Sequence, residues 1–448
     1  MGRGIPRRPD SIGPARGTQE GAEEGSSNHL LMAEVPSAIS DMRDDHRVPD
    51  PSRSVVGPLS LPALFRHLKA PRRWRGGPAW LVMIANVDAA SILTALASGA
   101  SFRYDFVWFL VLLTVPLFFI QEAAGRIGAV TAKGLGELAR ERFSSSIAAT
   151  VALSMAVGDI AVYVAEYAGI ALGLGLFGVP PFVSLPLAFV AHIALVAQGR
   201  YAWVERVLIG ISVGVIVALA VVVLHQRLLP YSPFGVSVHP SFFLLLAANT
   251  GAVVMPFMLF FQSSATAAKR STATISRQST LVGAGVSEAL MVMVVIIGAG
   301  IGVSIDITTG SGFSSDLVSA LGPYSAYLLG VGLVAAAFLA LVVVSLGSAW
   351  GLREALGLSP KSTLWIYAGE SIPAVVVPLL FPQLVTLVLA LMVAMVFILI
   401  VPGVLVGKLV TDRTVMGSQT STGAWRSAFW ASLIFVVAVG VLGVTLYL

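Results

Sequence analysis

From position 78 onward the chain is written in long apolar runs, separated by short clusters of Lys, Arg, Gly and Pro. A helix needs about 20 apolar residues to cross a bilayer. By that measure eleven spans are expected, at 78–98, 105–126, 147–176, 181–198, 205–225, 241–262, 280–303, 323–350, 364–381, 383–408 and 427–447. Proline ends a helix, so Gly178 to Pro181 and Phe381 with Pro382 mark the tightest joints.

Composition agrees with the pattern. The 448 residues are 56% hydrophobic and only 11% charged, with mean hydropathy +0.87, where a soluble protein carries roughly a quarter charged residues. The 44 glycines suit close helix packing in lipid. With no cysteine there are no disulfides, thiolate metal sites or Cys nucleophiles. The sequence pI of 9.6 is read as basic membrane-flanking loops rather than nucleic-acid binding. Residues 1–70 stand apart: "MGRGIPRRPDSIGPARGTQEGAEEGSSNHL" has no apolar face and is expected to be a disordered cytoplasmic tail.

Cations orient the rest. With the amino terminus cytoplasmic, the inner loops carry fourteen Lys and Arg (Arg126 through Arg426), and the outer loops only Arg103 and Arg227. The expected location is the cytoplasmic membrane, with the carboxyl terminus outside. Eleven spans suggest two inverted sets of five, a secondary-transporter arrangement, plus one helix. The divisions expected are 71–225 for the first repeat, 226–408 for the second, and 409–448 for a loop and the last span.

In this frame span 6 is the counterpart of span 1, and both carry something unusual. "IANVDAAS" places Asp88 ten residues into span 1, where an ionisable group costs about 2.5 kcal/mol or more. Span 6 contains Pro256, which removes a backbone donor, and Met255 lies fourteen residues in. At about 1.5 Å per residue both lie within roughly a turn of the midplane. Carbonyls freed by such breaks can coordinate a cation, and a bound ion would then be the partner of Asp88.

The motifs "DAAS" in span 1 and "GAVVMPFMLFFQS" in span 6 resemble those of the Nramp divalent-metal transporters, which carry Asp-Pro-Gly-Asn and Met-Pro-His at the corresponding breaks. Similar stretches follow in order: "QEAAGRIGAVTAKGLGELARERF", "AEYAGIALGLGLFGVP", "QGRYAWVERV" and "RQSTLVGAGVSEALM". The resemblance covers about residues 76 to 448. It implies an all-α, LeuT-like fold with 11 transmembrane helices that imports Mn(II) or Fe(II) by alternating access, with protons as coupling ion. It implies Asp88 and Met255 as metal ligands, with the carbonyls of Ala85 and Ala252, and Ser91 at the family's Asn position. Thioether sulfur favours later transition ions over Mg(II) and Ca(II). The ion is substrate, so neither a cofactor nor an enzymatic activity is expected; the partners are the ion, the bilayer and protons.

The chain departs from the family in ways that bear on mechanism. Ala89 and Ala90, good helix formers, replace Pro and Gly, so the first helix is expected to unwind less readily. Phe257 replaces the His and cannot carry a proton. Span 3 keeps a glutamate, Glu166, but has Tyr163 where an aspartate is usual; Asp159, one turn earlier, is the substitute, and Glu166 with Asp159 is the candidate proton path. Glu288 and Glu370 are expected near inner helix ends, solvated or paired with loop cations. Competing readings are an Nramp-related Mg(II) transporter without proton coupling, an amino-acid permease of the same fold, which Asp88 disfavours by repelling a substrate carboxylate, and an intramembrane aspartyl protease, for which "AVGD" lacks the first glycine.

Overall fold

The computed structural model describes residues 78–197, 201–226, 230, 232–302 and 313–447; the expected tail at 1–70 lies outside them. The described chain is helical almost throughout. Two short helices open it, α1 (Pro78–Ala85) and α2 (Ala89–Phe102), bent by 49° at the residues between them. Then come α3 (Val107–Thr131), a short α4 (Leu135–Arg142), α5 (Ser145–Gly175), α6 (Pro181–Ala197) and α7 (Tyr201–Leu224). A second interrupted pair follows, α8 (Pro240–Val253) and α9 (Pro256–Ala268), then α10 (Ala273–Ile301), α11 (Phe313–Leu356) and α12 (Thr363–Leu380). The chain continues through α13 (Leu384–Ile398), α14 (Ile400–Thr411), the single turn α15 (Arg413–Met416) and α16 (Gly423–Tyr447).

Among the described residues nine helices are long and apolar enough to cross a membrane, and the bent α1–α2 pair makes a tenth. The eleventh expected span is α6, apolar but only 17 residues long. Every expected span therefore has its helix. The molecule is a multi-pass membrane protein. Its centre is span 6, whose 240–268 stretch is 83% buried, against 33% for α16 and for residues 207–224 of α7, which face outward.

Two boundaries moved, each for a local reason. Thr272 caps α10 by accepting Ile275 N, so span 7 begins at Ala273 rather than near 280. That places Glu288 four turns inside the helix, where it is 2% exposed, not at a solvated end. Within α11 the backbone breaks at Gly322 (φ 76°, ψ 159°), immediately before Pro323. Only glycine adopts that conformation freely, and the spanning part of the helix starts beyond it, as expected.

Prolines inside spans leave carbonyls without intrahelical donors, and at Pro402 and Pro256 the freed carbonyl is met from a neighbouring helix. Pro402 frees the Ile398 carbonyl, which accepts Ser154 Oγ from α5 at 3.0 Å. Pro256 frees the Ala252 carbonyl, which accepts Ser91 Oγ from α2 at 3.3 Å. Close backbone approach does the rest: a Cβ at Gly169 of α5 would fall on the Cβ of Ala89, so glycine lets α5 sit against the start of α2.

Candidate metal site

The first span does unwind, and the alanines are not the reason it should resist. Helix α1 stops at Ala85, Asn86 to Asp88 run irregularly, and Ala89 and Ala90 form the first turn of α2. Asp88 is extended (φ −95°, ψ 178°) and its Oδ1 accepts Ser91 N at 2.7 Å. Asp and Asn compete with the helix for backbone donors and favour exactly such caps over helix interiors. The break is thus set by Asn86 and Asp88, while the alanines supply helix propensity only on its far side.

In span 6 the matching interruption falls at Val254 and Met255. Both are extended (φ −127°, ψ 98° and φ −104°, ψ 146°), and Pro256 opens α9. The two breaks are stitched together. Asn86, with its carboxamide oriented so that oxygen meets donors and nitrogen acceptors, donates Nδ2 to the Ala252 and Val253 carbonyls at 3.1 Å each. Its Oδ1 accepts Ser287 Oγ of α10 at 3.1 Å. Ser91 adds its bond to Ala252. Of the five expected ligands, Ser91 and Ala252 are in direct contact across the two breaks, and all five are buried: Asp88, Ala85 and Met255 fully, Ala252 at 2% and Ser91 at 3% exposed. In this arrangement the Ala252 carbonyl is occupied by protein donors.

The remaining polar account does not close. Asp88 Oδ2 has no donor. Glu166 of α5 is fully buried and accepts Ala89 N at 3.0 Å and Ala90 N at 3.4 Å, holding the N-terminus of α2. Its side chain also lies within hydrogen-bonding range of the Asp88 carboxyl. Two acids face each other with no cation of the protein between them, and burying unpaired charge is costly. A divalent cation, or a proton, at Asp88 would close the account. Among the described residues there is no group of three or more His, Asp or Glu side chains suited to a metal. Any ion here would rest on one or two carboxylates, a thioether and backbone or hydroxyl oxygens.

Asp159, the other candidate proton carrier, is fully buried on α5, two turns from Glu166, and does not join this site. It faces Glu370 of α12, which is 5% exposed and takes its hydrogen bonds from Ser348, not from loop cations as expected. Tyr163 donates to Ser345 Oγ at 2.8 Å, and His192 Nε2 meets the same oxygen at 2.7 Å. Sequence reading missed His192, Ser345 and Ser348. The available signal was spacing: Asp159, Tyr163 and Glu166 recur at helical intervals on α5, as do Ser345 with Ser348 and Tyr367 with Glu370.

Two spans broken at facing points around a buried acid, within a bundle of apolar helices that among the described residues includes nine long enough to cross a membrane and a bent pair as a tenth, define a LeuT-like membrane transporter fold. The model of the Natural resistance-associated macrophage protein-like family, Nramp, matches residues 79–446. The chain belongs to the Nramp family. The divalent metal cation transporter MntH of Bacillus subtilis (strain 168) is 29% identical over 203 residues, covering 42% of this chain and 47% of that protein. MntH of Acidiphilium cryptum (strain JF-5) is 26% identical over 231 residues, covering 49% and 53%. The chain thus aligns with about half the length of these curated relatives. A crystal structure of the Eremococcus coleocola manganese transporter superposes with TM-score 0.70 at 18% identity, covering 86% of this chain and 91% of that one. MhsT in complex with L-phenylalanine follows at TM-score 0.52 and 14% identity, over 85% and 100%. Those two likenesses establish the shared fold.

Proposed function

We propose that this protein imports divalent transition-metal ions, Mn(II) or Fe(II), across the cytoplasmic membrane by alternating access, with its amino terminus inside and its carboxyl terminus outside. The observation that carries the reading is the unclosed polar account at the span 1 break: Asp88 Oδ2 without a donor, next to Glu166, with the buried Met255 at the matching break of span 6. Asp88 supplies charge, Met255 a soft ligand, Ala85 and Ala252 carbonyls, and Ser91 a hydroxyl. For Ala252 to ligate, Ser91 and Asn86 must release its carbonyl, so loading and rearrangement of the two breaks are coupled. The relatives named as divalent metal cation transporters support this reading. The absence of a positive or glycine-lined break disfavours an amino-acid substrate.

Glu166 and Asp159 are the acids available to move a proton, since Phe257 and Tyr163 stand where the family has His and Asp. Uptake into proteoliposomes across a panel of Mn(II), Fe(II), Mg(II) and Ca(II), with an internal pH dye, tests substrate and coupling together. Mn(II) uptake is expected in the wild type and is expected to vanish in Asp88→Ala. Undiminished uptake by Asp88→Ala would overturn the site; Mg(II) uptake with a silent dye would favour the magnesium-transporter reading.

A further inference from the structure

Below the Asp88–Glu166 pair lies a second pair of buried acids whose surroundings divide sharply into a saturated tier and an unsaturated one. Helices α5, α11 and α12 each turn two polar side chains into the seam between them: Asp159 and Tyr163, Ser345 and Ser348, Tyr367 and Glu370. The first tier closes completely. Ser345 donates to the Leu341 carbonyl and accepts from Tyr163, so His192 must carry its proton on Nε2 to donate to Ser345. Its Nδ1 then accepts from Tyr167 at 2.9 Å. Every group has its partner, which is what a structural network looks like.

The second tier does not close. Ser348 has one hydroxyl hydrogen, and its Oγ lies 2.7 Å from each oxygen of Glu370. It is also within reach of Asp159, both of whose oxygens remain without a donor. Tyr367, fully buried and one turn before Glu370, aims a hydroxyl that has no partner into the same place and feels the charge of Glu370. Arg353 acts on Tyr367 and hydrogen bonds Thr363 through Nη1; the groups that act on the two carboxyls are Ser348 and, for Asp159, Glu370 itself. Two carboxylates, a hydroxyl and a phenol are an all-oxygen donor set of charge −2, which one divalent cation neutralises.

Position adds a second argument. Asp159 and Glu166 are seven residues apart on α5, hence on one face and about 10 Å apart along its axis. Gly158, next to Asp159, abuts the span 6 break: a Cβ there would sit 3.3 Å from Pro256 Cγ. Asp159 sits at the middle of α5 (Ser145–Gly175), two turns nearer than Glu166 to the helix's amino-terminal end, which is the cytoplasmic end in the orientation proposed above.

We propose that Asp159, Glu370, Ser348 and Tyr367 form a second station for the transported divalent cation, one helical step inward of the Asp88 site, binding it through oxygen alone. This rests on the import reading given above. Selection by the thioether would then be complete before the ion reaches an unselective, hard-donor stop on the way to the cytoplasm.

The test is the binding stoichiometry of Mn(II), and separately of Ca(II), to the purified full chain in lipid nanodiscs, by the loss of the free-Mn(II) EPR signal and by calorimetry. The wild type is expected to bind two Mn(II) per chain. Asp88→Ala and Glu370→Gln are each expected to bind one, and the double variant none. Asp159→Asn should repeat the Glu370→Gln result. Tyr163→Phe, which removes a hydroxyl that donates to Ser345 and to neither carboxyl, should keep two. One Mn(II) in the wild type, lost in Asp88→Ala and kept in Glu370→Gln, overturns the second station and leaves the first standing. Two Mn(II) in Asp88→Ala with one in Glu370→Gln does the reverse. If Tyr163→Phe loses an ion as readily as Glu370→Gln, the effect is packing and the proposal falls.

Discussion

Replacing Glu166 with Ala removes both acceptors of the N–H groups that open α2, at a depth where no bulk water can replace them. The first four N–H groups of any helix lack intrahelical partners, and here Ala89 N and Ala90 N are held at 3.0 and 3.4 Å by one carboxyl. An orphaned buried donor costs about 1–3 kcal/mol. The longer bond falls at the low end of that range, so the pair amounts to about 3 kcal/mol. Glu166→Gln keeps one carbonyl oxygen for Ala89 N but turns an amide nitrogen toward Ala90 N. The expected order of stability is wild type, then Gln, then Ala, with Gln roughly midway. Equilibrium unfolding of purified protein in mixed micelles, followed by tryptophan fluorescence, reads that order. An Ala variant as stable as the wild type, or a Gln variant less stable than Ala, would refute the reasoning.

Met255→Ala should retain Mn(II) uptake in part while Mg(II) and Ca(II) compete far better than in the wild type, because only the soft ligand is lost; equal competition in both proteins would remove Met255 from the site. Glu122 of α3 pairs with Arg126 and Arg277, each at 3.1 Å, and Arg277 stacks 4.4 Å above the Trp425 ring. Glu122→Ala leaves Arg126, only 5% exposed, without its carboxylate. It should cost about 3–5 kcal/mol of unfolding stability, and a loss well under 1 kcal/mol in the same micelle assay would contradict that.

Helix positions were legible because hydropathy is a sum over twenty residues and tolerates local error. The matched breaks were legible too, since Pro256 and Asp88 are each expensive in a span. What the pattern did not yield was the partner of each polar group. Glu288 and Glu370 were expected at wet ends because a carboxylate in isolation belongs there; their helices instead turn them inward, and Ser348, on the preceding span, donates to Glu370. Ala89 and Ala90 were read as resisting the break, whereas the two caps upstream decide where it falls. Glu166 was singled out as a proton carrier, but its role as the cap of α2 depends on a crossing that only Gly169 permits, and no spacing rule encodes a crossing.

A carrier that moves cargo in one direction must also come back without it, and bare carbonyls in a greasy interior would make that return trip prohibitively unfavourable. In the transport cycle proposed above, Ser91 and Asn86 would be understudies for the ion, since a hydroxyl and a carboxamide already hold the Ala252 oxygen. On that proposal the unladen protein would reset with its backbone satisfied, and arriving metal would have only to displace weak internal tenants rather than fill a void.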